Sequence, residues 1–116
     1  MTVAAAAWWL LVGHAVGDWA LQSDTMGVMK NRDRGAEAFP WLAAEVPWFY
    51  WLTAHSIIMG GCVAVVLGPA YGVAEAALHW LVDLGKTRKV YGIAADQTLH
   101  LLCKAAWLWA AFGGHA

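Results

Sequence analysis

The sequence predicts an all-α protein: a four-helix transmembrane bundle of two helical hairpins, forming a single integral membrane domain over residues 1–116. Three observations predict it. Hydrophobic residues make up 61% of the chain and charged residues 13%, about half the charged share of an average soluble domain. The mean hydropathy is +0.53. The apolar residues also gather into four runs of helical length, separated by polar or Pro/Gly breaks.

The same composition excludes several classes. A net charge of -1 with seven Lys and Arg gives no basic face for a nucleic acid backbone. Cys62 and Cys103 fall inside apolar runs, which suggests neither a disulfide framework nor a zinc knuckle. The N-terminal run lacks a basic leader and carries His14 and Asp18, so it reads as a retained helix and not as a signal peptide.

Helix one is expected over 3–21, roughly 28 Å and enough to cross the hydrocarbon core. Residues 22–35 are polar, and the segment 36–46 carries Phe39, Trp41 and two Glu as a short interfacial helix would. Helix two, over 48–67, opens on Trp48, Phe49, Tyr50 and Trp51, an aromatic group of the kind found at headgroup boundaries, and stops at Gly68-Pro69. Helix three, over 70–84, is short for a span, and helix four covers 93–112. Six of the seven basic residues lie in the loops after helices one and three, which four spans place on one side. The positive-inside rule makes that side cytoplasmic, with both termini outside and the protein multi-pass in the cytoplasmic membrane.

His14, Asp18, His55, Glu75, His79, Asp83, Asp96, His100 and Lys104 all fall inside the expected spans. Each is expensive there, so the set marks a functional site. His14 with Asp18, His79 with Asp83 and Asp96 with His100 are each four apart, so each pair shares a helix face. Helices three and four are mirror-matched about their loop: Glu75 falls opposite Lys104, His79 opposite His100, and Asp83 opposite Asp96. The first reads as a structural ion pair, and two apposed carboxylates want a cation between them. Gly13 and Gly17 would let helix one approach a neighbour closely beside the His14 face.

Four His and three Asp in one band suit one or two divalent transition metal ions, zinc, manganese or iron. The expected ligands are His14, Asp18, His55, His79, Asp83, Asp96 and His100. The basic residues of the two loops are first topology signals and headgroup contacts, and they also ring the mouth of the cluster, where they would suit phosphate capture.

The segments HAVGDWALQ from His14, HWLVDLGK from His79 and DQTLH from Asp96 resemble the three signatures of a family of small integral membrane proteins of bacteria and their phages, itself of unknown function. The resemblance covers nearly the whole chain, with Trp19 where Phe is commoner. It implies that Gln22, Lys86 and Gln97 belong to the site. A more distant likeness is to membrane-bound metal-dependent hydrolases.

These readings converge on a metal-dependent hydrolase of a lipid or lipid-linked phosphate or ester. Asp96 or Asp18 would be its general base, and Gln22, Gln97 or Lys86 would orient the substrate oxygen. Two alternatives use the same residues: a metal-ion or proton transport protein, and a phage holin-like membrane protein. The expected partners are the lipid bilayer and a lipid substrate, and a homodimer would suit a bundle that encloses so little volume.

Overall fold

The computed structural model describes residues 1–113. It is helical throughout, with α1 (Val3–Ala15), α2 (Asp24–Met29), α3 (Arg32–Ala38), α4 (Pro40–Glu45), α5 (Trp48–Leu67), α6 (Pro69–Thr87) and α7 (Ile93–Phe112). A π-helical turn, Val16–Ala20, prolongs α1. The long helices close a ring in which α1 packs on α5 and α7, and α6 packs on the same two. The connectivity is up-down-up-down, and the short helices α2 to α4 cover the end at which α1 finishes and α5 begins.

Local chemistry explains most of the boundaries. Thr2 Oγ1 accepts the Ala5 N–H at 3.1 Å and starts α1, which then runs through Ala, Trp and Leu without a breaker. Where one continuous helix is expected over 3–21, the last turn widens and the Leu21 N–H reaches back five residues to Val16 O at 2.8 Å. Gly17, inside that turn, lies against Met59, and a Cβ there would collide with the thioether sulfur. Gly13 packs on Cys62 in the same way, so the two glycines do seat α1 against α5.

The expected polar loop and interfacial segment are instead three short helices. Ser23 caps α2 by accepting the Met26 N–H, and Asn31 caps α3 by accepting from Asp33 and Arg34. Pro40 separates α3 from α4, because it is tolerated only at a helix start.

The closest helix pair is α5 with α6. A Cβ on Gly60 would stand 2.5 Å from Gly72 O, and one on Gly72 would stand 2.6 Å from Ala64 Cβ. The turn between them is Gly68 alone, at φ 104°, a backbone conformation that favours glycine. Helix α6 has 19 residues, longer than the expected 70–84, because Pro69 serves as its first residue and its C-terminal end is capped late. There, Val90 N–H bonds Gly85 O at 2.9 Å and Lys89 N–H bonds Lys86 O at 3.0 Å, a Schellman pattern. Its left-handed position, usually glycine, is Lys89 at φ 60°. Tyr91 folds back over Gly85 and donates to Val82 O.

The interior is inverted relative to a water-soluble core. The buried apolar side chains are Ala6, Leu10, Met29, Leu52, Met59 and Val63, whereas His14, Lys30, His55, Ser56, Glu75, His79, Asp83, Asp96, His100 and Lys104 are all buried. Large apolar residues such as Trp8, Trp9, Ile57, Val65, Val73, Leu81 and Trp109 face outward. Among the described residues one helix, α5, is long and apolar enough by itself to cross a membrane, with a mean hydropathy of 1.6. Helices α6 and α7 carry the ionic interior, and α1 is shortened by its π turn.

The contrast between two adjacent glycines tests this packing. Gly60→Ala should destabilise by about 1–3 kcal/mol, because both atoms in its way belong to α6. Gly61→Ala meets nothing within 4 Å and should stabilise by up to about 1 kcal/mol through helix propensity alone. Thermal unfolding of the two purified variants would move in opposite directions; movement in the same direction would refute the α5–α6 contact.

Candidate metal centre

Helix periodicity delivers the site. On α6, Glu75, His79 and Asp83 follow one another a turn apart, and on α7, Asp96, His100 and Lys104 do the same, with all six side chains inside the ring. Antiparallel packing sets them in the expected mirror. The His79 and His100 rings stack with centroids 4.0 Å apart. Lys104 Nζ donates to Glu75 Oε1 at 2.8 Å, and Trp107 Nε1 donates to Glu75 Oε2 at 2.6 Å. His55 arrives from α5, and Asp18 arrives from the π turn.

Four atoms form the tightest donor set. His55 Nε2 lies 3.2 Å from Asp18 Oδ1, 3.2 Å from His79 Nε2 and 3.6 Å from Asp83 Oδ2, and His79 Nε2 lies 3.7 Å from Asp83 Oδ2. An ion with bonds near 2.0–2.2 Å holds tetrahedral ligands about 3.3–3.6 Å apart. The measured separations therefore match a two-nitrogen, two-oxygen shell. Buried groupings that could hold a metal ion include Asp18, His55 and His79, and also Asp83, Asp96 and His100. Asp83 belongs to both neighbourhoods, since its Oδ2 faces the first and its Oδ1 lies 3.2 Å from His100 Nε2.

The second neighbourhood differs in one atom. His100 Nε2 is also 3.2 Å from Asp96 Oδ1. A single N–H cannot align with both carboxylates, and Asp96 Oδ1 is left buried without a hydrogen bond. Asp83 and Asp96 thus have His100 between them, in the place where apposed carboxylates require positive charge.

Gln97 ties α7 to the π turn. Its Nε2 donates to Asp18 Oδ2 at 3.0 Å and to Asp96 Oδ2 at 3.1 Å, which turns Oε1 toward His14 Nε2 at 2.9 Å. Because a carbonyl oxygen only accepts, His14 Nε2 carries the proton in this arrangement and is not free to ligate. His14, expected as a ligand, is therefore placed as the orienter of Gln97, outside the donor groupings. Gln97, expected to hold substrate, spends its amide inside the protein. Gln22 and Lys86 do line the open cleft at the covered end, and Lys86 Nζ lies 3.8 Å from Asp96 Oδ2.

The residue that sequence reasoning missed is Lys30. Expected among the exposed loop charges, it is 4% exposed, and its Nζ donates to Asp83 Oδ2 at 2.8 Å. The one hint is its neighbour Met29, an apolar residue that α2 buries beside it. Glu75 also does more than neutralise Lys104: its Oε1 lies 3.6 Å from His79 Nδ1, on the far side of the ring from the donor set. Carboxylates in that place orient metal-binding imidazoles.

No family model, curated protein or solved structure matches the chain. The geometry carries the functional reading alone.

Lys30 generates a direct test. Lys30→Met strands a buried carboxylate and should cost about 3–5 kcal/mol, whereas Arg32→Met removes an exposed pair with Asp33 and should cost under about 1 kcal/mol. Denaturant unfolding of both variants checks the difference, and equal losses would show that Lys30 does not close on Asp83.

Proposed function

We propose that the protein is a multi-pass protein of the cytoplasmic membrane that holds a divalent transition metal ion inside its bundle and hydrolyses a lipid or lipid-linked phosphate or ester. The observation that carries this reading is the donor set Asp18, His55, His79 and Asp83. It gathers two imidazoles and two carboxylates from the π turn, α5 and α6 at tetrahedral spacing. Mixed nitrogen and oxygen ligation suits zinc, manganese or iron. The apolar exterior over an ionic interior supports a lipid surround, and the basic residues at the covered end support a cytoplasmic orientation for that end.

Charge favours an ion as well. Asp83, Asp96 and Glu75 each have a lysine within reach, Lys30, Lys86 and Lys104, at 2.8, 3.8 and 2.8 Å. Asp18 has no lysine partner, and its oxygens face His55 and Gln97. A cation beside Asp18 completes the balance.

When bound, the ion would supply Lewis acidity and lower the proton affinity of water. The chain's own residues divide the remaining work. Asp18 is committed to His55 and Gln97, which leaves Asp96, with its unbonded oxygen and His100 beside it, as the proton acceptor. For a phosphate substrate, the water oxygen bonds phosphorus and its proton passes to Asp96. The bond from phosphorus to the alcohol oxygen breaks, and that oxygen takes the proton as the alcohol leaves. Asp83 and Glu75 hold the imidazole rings in place throughout.

A proton relay is the second reading, favoured by one observation. Lys30, Asp83, His79, Glu75 and Lys104 form a continuous line of ionisable groups at 2.8, 3.7, 3.6 and 2.8 Å. Two of those steps exceed hydrogen-bonding distance, and the far end is closed by the Trp107 indole.

Metal analysis decides between them. Protein purified in detergent and given zinc, manganese or iron should retain about one equivalent. Asp18→Asn and His55→Ala should lose it, whereas Asp96→Asn should keep it and lose at least about 100-fold in hydrolysis of a lipid phosphate. Folded wild-type protein that binds no metal, with proton flux into liposomes abolished by Glu75→Gln, would replace the hydrolase with the relay.

A further inference from the structure

At the covered end, a cavity of about 630 Å³ opens between the π turn, α2, α3 and the end of α6. Four of the chain's seven basic residues line it, Lys30, Arg34, Lys86 and Lys89, against a single acid, Asp24. That bias is strong in a protein whose net charge is -1. The other loop cations are used elsewhere: Arg32 lies against Asp33, and the Arg88 guanidinium sits 5.3 Å over the Trp48 ring.

The four cations are not equivalent. Lys30 and Lys86 each reach from the cavity to a carboxylate of the centre, Asp83 at 2.8 Å and Asp96 at 3.8 Å. The cavity and the centre are therefore separated by one ammonium group on each side. Arg34 and Lys89 form no salt bridge among the described residues, so two positive charges stand uncompensated in the cavity wall. Lys89 is the left-handed residue of the Schellman cap, where glycine is the ordinary choice and any side chain is strained. Strain of this kind collects where a side chain serves a ligand.

We propose that this cavity is a receptor for a phosphate monoester dianion, with Arg34 and Lys89 supplying the two matching charges and Lys30 and Lys86 bridging the phosphate to the centre. A neutral carboxylic ester offers nothing to Arg34 and Lys89, and a phosphodiester leaves one of them unmatched. Trp19, 70% exposed on the cavity rim, places an aromatic surface beside the phosphate position, where a chain-bearing headgroup would lie. As a substrate site the receptor rests on the hydrolase reading, but its occupancy is measurable without turnover.

The experiment uses the full chain in phosphatidylcholine nanodiscs, alone, doped with phosphatidic acid, or doped with phosphatidylglycerol, with added inorganic phosphate as a separate arm. Phosphatidic acid should raise the unfolding temperature, and phosphatidylglycerol should do so much less. Lys89→Gly should raise the baseline unfolding temperature by relieving the left-handed strain, and at the same time weaken phosphatidic acid binding about fivefold. Arg34→Gln should weaken binding similarly without the gain in stability. Stabilisation by inorganic phosphate at comparable concentration would support the dianion receptor and assign it to soluble phosphate; stabilisation by phosphatidic acid alone would assign it to a lipid. Equal response to both anionic lipids, or binding unaffected in both variants, would overturn the proposal.

Metal content measured on the same samples keeps the two readings apart. Phosphatidic acid binding in a protein without metal overturns only the hydrolase. A metal-loaded, active protein indifferent to phosphatidic acid and phosphate overturns only the receptor.

Discussion

The Asp83 carboxylate is the interaction on which the rest of the structure depends. It sits 1% exposed in the middle of the ring, and a lone charge there would be prohibitive. Its two oxygens draw Lys30 from the cap, His55 from α5, and His100 from α7, while His79 leans on it from one turn back along α6. Four segments distant in sequence therefore converge for one electrostatic reason. The cap helices α2 to α4 owe their place over the bundle to the same reason, because Met29 and Lys30 are what they bury.

Apolar packing plays a different part. It brings backbones close where side chains are small, at Gly13 and Gly17 against α5 and at Gly60 and Gly72 between α5 and α6. Those contacts fix the depth and rotation of each helix, and so decide which atoms of the polar residues meet. The Glu75, Lys104 and Trp107 cluster closes the opposite half of the interior, so the polar site opens toward the basic end.

Much of this was legible in the sequence, for identifiable reasons. The four-residue spacing of His79 with Asp83 and of Asp96 with His100 is a property of any helix, so their shared faces followed at once. The mirror about the α6–α7 loop followed from antiparallel geometry, and Glu75 with Lys104 confirms it at atomic distance. The part that was not legible depends on contacts across the fold. Nothing local to Lys30 distinguishes it from Arg32, yet one is buried on Asp83 and the other lies outside. Neither does the motif containing His14 reveal that Gln97 takes up its Nε2 proton, which removes His14 from the donor set. The length of α6 was missed because a Pro that ends one helix also begins the next, and Lys89 occupies a cap position that composition assigns to glycine.

The π turn at Val16–Ala20 gives the site an unusual evolutionary address. A ring closed over five residues holds one residue more than the α-helical ring, so the turn is equivalent to a single inserted amino acid. Loss of one codon there would return α1 to ordinary winding and rotate the helix end by about 100° relative to what precedes it. Asp18 and Trp19 would then change partners while the apolar face before them kept its packing. A lineage carrying this bundle could therefore gain or discard the Asp18 corner of the centre in one deletion event, without redesigning a hydrophobic contact.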